Sequence, residues 1–80
     1  MNSPSEPTEF KRKNDYSITA YQGSRKVNTM VYVHSISSYV KYLEKRHINW
    51  SVINVYARRT RRFLKRYYKD RDIIPDRIEG

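Results

Sequence analysis

Between Arg58 and Arg71 the chain places eight Lys or Arg residues and a single acid, Asp70, within fourteen positions. Any fold has to keep those charges in water while Phe63, Leu64, Tyr67 and Tyr68 are interleaved among them. The segment must therefore present two chemically different sides, one apolar and packed, one cationic and wet. The chain around it is only 80 residues long, with a formal net charge of +9. A chain of that size buries roughly 60–65% of its extended surface, enough for one thin core. Self-repulsion on this scale is relieved by a polyanion, so the charge points to an anionic partner. There is no cysteine, which excludes a disulfide framework, a thiolate metal site and thiol catalysis.

The organisation follows from periodicity. Residues 1–14 carry Pro4 and Pro7 and no apolar repeat, and read as a disordered tail ending in the basic triplet Lys11-Arg12-Lys13. Residues 15–80 read as one small DNA-binding domain. Tyr16, Ile18 and Ala20 alternate with Ser17 and Thr19, and Gly23 supplies turn chemistry. Val27, Thr29, Val31 and Val33 continue the alternation, so residues 16–33 read as a short β-hairpin. An extension of the following helix is equally open, because Val33, Ile36, Val40 and Leu43 keep helical spacing. Ser35 is a candidate N-cap for a helix over about 35–46. A second helix is expected over about 51–69, where Ile53, Tyr56, Thr60, Phe63 and Tyr67 are spaced 3, 4, 3 and 4. The expected fold is thus mainly α, a small domain with two principal helices.

On that second helix the cations would form an oriented patch. The candidate nucleic-acid-binding residues are Lys45, Arg46, Asn49, Ser51, Arg58, Arg59, Arg61, Arg62, Lys65, Arg66 and Lys69. Arginine's planar fork suits phosphate oxygens and guanine edges better than an ammonium does. The acids Asp70, Asp72 and Asp76 read as ion-paired to nearby arginines. Trp50 is either a lid on the core or an exposed part of the binding surface. Catalysis is excluded by what is missing: only Gly23 and Gly80 are glycines, so there is no phosphate-cradling loop, and His34 and His47 lie in no nucleophile arrangement. No cofactor or metal site is expected. No apolar run is long enough to span a bilayer, and Met1–Glu9 lacks the apolar core of a secretory signal, so the expected setting is intracellular, in cytoplasm, nucleoid or nucleus.

The segment "YVKYLEKRHINWSVINVYARRTRRFLKRY" resembles the core-binding, SAM-like domain of tyrosine recombinases and phage integrases, through Tyr39, Leu43, Ile48, Ile53, Tyr56, Phe63 and Leu64. That resemblance implies a helical, non-catalytic module that clamps duplex DNA, with Asn49, Ser51 and the basic residues after Tyr56 toward the DNA and the catalytic domain elsewhere. A second resemblance is to ribbon-helix-helix repressors, through Ile48, Ser51, Ile53 and Ala57. It implies a homodimer whose ribbon, Val27 to Val33, reads bases through Lys26, Asn28, Met30 and Tyr32, as a transcriptional repressor or a plasmid or phage accessory protein. From a different class, a tyrosine-rich surface binding an acidic protein partner would also fit the composition. Duplex DNA is the expected partner, structured RNA the alternative nucleic acid, and RNA would call for exposed stacking aromatics such as Tyr21, Tyr32 or Trp50.

Overall fold

The computed structural model describes residues 14–78. The basic triplet of the N-terminal tail, Lys11 to Lys13, lies outside the described residues. Two β-hairpins are joined by one helix: β1 (Tyr16–Gln22), β2 (Arg25–Val33), α1 (Ile36–Lys45), β3 (Val52–Ala57) and β4 (Phe63–Tyr68). The strands form a single antiparallel sheet in the order β2-β1-β3-β4. The mainly α architecture expected from the sequence is therefore wrong. Residues 51–69 form not a helix but the strand–turn–strand unit β3–β4.

The physical reason lies in the pairing of β3. Ile53 and Val55 alternate with Val52, Asn54 and Tyr56, and this period of two matches that of β1. Ile18 stands opposite Val55 and Ala20 opposite Ile53, and all four side chains are buried. A helix would have left Val55 off the apolar stripe, whereas the sheet buries it completely. The β-branched and aromatic residues of both strands also favour the pleated, half-buried surface. The spacing 3, 4, 3, 4 is a coincidence of two strands on either side of a turn, and Thr60, which completes it, is exposed in that turn.

The ribbon-helix-helix arrangement is not formed either. Residues 27–33 lie in β2 and pair with β1 of the same chain, and α1 is the only α-helix among the described residues.

Helix α1 lies on one face of the sheet. Its buried residues Ile36, Tyr39, Val40 and Leu43 meet Ile18, Ala20, Ile53 and Val55 in one core, closed at its edges by Tyr16, Val33, Trp50 and Tyr67. Burial pushes the Tyr39 phenol above its ordinary range, so it stays protonated and donates to Asn28 Oδ1 on β2 at 2.7 Å. Ser35 caps the helix, its hydroxyl accepting from Ser38 N at 3.3 Å. At the other end Ile48 N donates to Leu43 O at 2.9 Å and His47 N to Glu44 O at 3.1 Å, with His47 at φ 60. This is a Schellman closure, and it turns the chain sharply toward Trp50 and β3.

The C-terminal segment straps the two halves together. Ile36 N donates to Asp76 O at 2.7 Å, and Ile78 N donates to the Tyr16 hydroxyl at 2.9 Å. Ser37 Oγ donates to Asp76 Oδ1, and Arg77 pairs with Asp15 while donating to His34 O at 2.7 Å. The Ser37 hydroxyl holds the Asp76 carboxyl below its ordinary range.

Two outcomes test this fold. Val55→Ala is expected to cost about 2 kcal/mol in denaturant unfolding, the value for truncating a buried aliphatic side chain, whereas Thr60→Ala in the exposed turn stays near neutral. The reverse order would restore the helix. Because the folded-state pKa of Asp76 is depressed, its contribution is complete above the ordinary carboxyl value of about 3.8 and is lost as pH falls through the folded value. Asp76→Asn should therefore lower the thermal midpoint at neutral pH and flatten its fall below about pH 4 relative to the parent.

Candidate nucleic-acid interface

One short helix covers one face of the sheet, and no described element covers the other. Cross-strand pairing arranges that open face in three rows. The first runs through Ser17, Tyr56 and Phe63, with Ser17 opposite Tyr56 and Tyr56 opposite Phe63; β2 is irregular at this level, and Val31 and Tyr32 both border a groove with Ser17 and Tyr56. The middle row is Thr29, Thr19, Asn54 and Arg66, and the third is Lys26, Tyr21, Val52 and Tyr68. Aromatic rings thus flank a polar row. Strand alternation dictates this for β1 and β3, where Ser17, Thr19, Val52 and Tyr56 each adjoin a core residue in sequence, whereas Phe63 reaches the face at an irregularity in the β3–β4 register.

The polar row contains a built arginine. Asn54, only 8% exposed, accepts from Arg66 Nε at 2.8 Å. That bond holds the guanidinium plane, while its two terminal nitrogens have no partner among the described residues. A fork held this way suits two-point binding to a phosphate or a base edge.

At the end of the first row, the β3–β4 turn supplies more arginines. Arg58 N donates to Asp15 O at 2.8 Å, and its side chain donates to Asn14 O while its guanidinium lies 5.1 Å from the Tyr32 ring centre. Ala57 N donates to Arg62 O at 2.8 Å and Arg61 N to Ala57 O at 2.7 Å, which closes the turn with Arg61 at φ 64. That left-handed conformation favours Gly or Asn and costs an arginine on the order of 1–2 kcal/mol. Arg58 and Arg61 line the groove with Ser17, Thr19, Val31, Tyr32 and Tyr56, and no carboxylate joins them there.

The cations are held largely by rings. Lys65 lies over Tyr67, Lys69 over Trp50 and Arg71 over Tyr68, with 5.7, 5.5 and 4.2 Å to the ring centres. Such contacts are worth about 0.5–1 kcal/mol each at exposed sites and leave the charge unneutralised. Among the described residues the only salt bridge joins Arg77 to Asp15. The acids do not pair with the basic run as expected: Asp72 Oδ2 accepts from Tyr68 N at 2.6 Å, and Asp76 serves the helix cap.

The residues singled out in the sequence are distributed over five places, Lys69 lying in the turn after β4. Lys45 and Arg46 end α1, with Arg46 over Tyr42. Asn49 is exposed in the connection to β3. Ser51 is occupied by the fold, its hydroxyl accepting from Gly23 N at 2.9 Å and lying 3.3 Å from Tyr21 O, to which it donates. Arg58, Arg59, Arg61 and Arg62 gather at the β3–β4 turn. On β4, Arg66 belongs to the open face, whereas Lys65 lies opposite Val55 on the helix side. Trp50 is buried. Sequence reasoning misses Tyr56 and Phe63 as open-face residues, because a helical frame puts them in the core, and it misses Asn54 as the buried partner of Arg66. The alternation Val52-Ile53-Asn54-Val55-Tyr56 is the signal that could have found them.

The strained turn gives a direct test of whether Arg61 serves the fold. Arg61→Gly is expected to leave the thermal midpoint unchanged or to raise stability by up to about 1 kcal/mol, by relieving the left-handed strain. A clear drop would show that the arginine side chain is structural. Set against protein-family models, curated proteins and solved structures, the chain matches none, so its own geometry carries the functional assignment.

Proposed function

We propose that this chain is a non-catalytic nucleic-acid-binding protein that docks the open face of its sheet and the adjoining β3–β4 turn on the polyanion. The observation that carries this is an uncovered face with Arg58, Arg61 and Arg66 on or beside it, aromatic rings between them, and no carboxylate in the groove. Phosphates would meet the turn arginines and Arg66, releasing counterions, while the rings and the polar row meet bases. The expected Arg-rich recognition helix has no part in this, since its residues form a hairpin. No helix among the described residues is long and apolar enough to cross a membrane. A nucleic-acid ligand would put the protein inside the cell.

One observation favours a second reading. Phe63 and Leu64 are exposed side by side on edge strand β4, which suits contact with a protein partner or a second copy. Such binding would depend little on salt.

Binding measured across a salt series to a single-stranded oligonucleotide and to duplexes separates the two. The nucleic-acid assignment expects log K to fall linearly with log salt. Arg58→Ala, Arg61→Gly and Arg66→Ala should each make that slope shallower by about 0.7–0.9, the increment for one phosphate no longer neutralised. Slopes near zero on every nucleic acid would overturn it.

A further inference from the structure

We infer that the open face takes single-stranded nucleic acid, with unpaired bases stacked on Tyr32 and Phe63 and an edge read by the Arg66 fork; this rests on the nucleic-acid assignment above. Width decides first. Four strands about 4.8 Å apart set the outer backbones roughly 14 Å from one another before side chains are added. The major groove is only about 12 Å wide and admits a two-stranded ribbon. Nor can β3–β4 enter as a free ribbon, because β3 is bonded to β1 on its other side.

Exposure decides second. Tyr32 is 64% exposed and Phe63 52% exposed, on the two outer strands of the sheet with Ser17 and Tyr56 between them. A duplex offers base edges and phosphates but no free ring faces, so exposed aromatic faces have nothing to stack on there. Unpaired bases have such faces. Both rings are also held in place: Arg58 sits over Tyr32, and Tyr56 packs edge-to-face on Phe63 with centroids 5.8 Å apart. Restrained rings lose less freedom when a base stacks on them. Between and beside them the surface is complementary in charge, since Arg58 and Arg61 flank the row at the turn and Arg66 stands in the next one. A strand crossing the sheet along the first row would keep its phosphates on these arginines and its bases on the rings.

The test compares the intact chain on a 12-nucleotide single-stranded DNA, the same sequence as RNA, and the DNA duplex, by fluorescence anisotropy at matched salt. Tighter binding to a single strand than to the duplex is expected, and the DNA and RNA arms identify the sugar preferred. Tyr32→Leu and Phe63→Leu should each weaken single-strand binding by about ten-fold, within the range for removing one stacked base, with the salt slope and thermal midpoint unchanged. Tyr32→Phe, which keeps the ring, should restore affinity. Preference for the duplex, or leucine variants that bind single strands as well as the parent does, would overturn the single-strand inference while the salt slope still upholds nucleic-acid binding. Absence of salt-dependent binding to all three would overturn both.

Discussion

The pairing of β1 with β3 at the centre of the sheet is the contact on which everything else depends. It places Ile18 opposite Val55 and Ala20 opposite Ile53, and it joins two hairpins that could not persist separately in water. A single helix of ten residues then has to close the core. Such a helix is about 15 Å long and about 10 Å wide, enough to cover one face of a four-stranded sheet and no more. Among the described residues no element covers the opposite face, where Ser17, Thr19 and Arg66 stand around the buried Asn54, with tyrosines whose hydroxyls stay wet.

That economy also explains the charge. With eight of the seventeen cations gathered near β4 and the β3–β4 turn, a helix would have stacked them at close i,i+3 and i,i+4 spacings with scarcely an acid between. A turn and a strand spread them: some to the tip, one to the open face, one to the helix side. Four of them lie over rings, and none forms a salt bridge among the described residues. The turn keeps Arg61 in a left-handed conformation that glycine would occupy without strain. Strain is thus retained at a charged position that lines the groove. Asn54 is a buried amide whose side chain orients the Arg66 guanidinium.

Several parts of the fold were legible locally. The alternation from Tyr16 and the glycine at Gly23, which takes φ 65, point to a hairpin through side-chain period and turn chemistry, while the helical spacing of Val33, Ile36, Val40 and Leu43 left its second strand open. Ser35 marks the start of α1, and Ile36, Tyr39, Val40 and Leu43 mark its buried stripe, because a cap and a stripe are properties of one short segment. The cationic segment was legible as a concentration of charge, though its secondary structure was not. Its apolar residues satisfy both periods, and only the presence of β1, more than thirty residues earlier, selects the strand. The C-terminal strap through Asp76 and Arg77 was not legible either, since its partners lie at the other end of the domain.

By itself the sequence determined a small, cysteine-free, strongly basic domain with one strand-like alternation after Tyr16, one capped helix and a concentrated positive charge, because composition, turn residues and caps act over a few neighbours. Tertiary structure alone decided that the charge sits on a hairpin, that Tyr32, Tyr56, Phe63 and Arg66 share one surface, and that Ser51 and Trp50 belong to the framework. Strand pairing is a contact between distant segments, and a shift of period from 3.6 to 2 changes which side chains face the core and which face water.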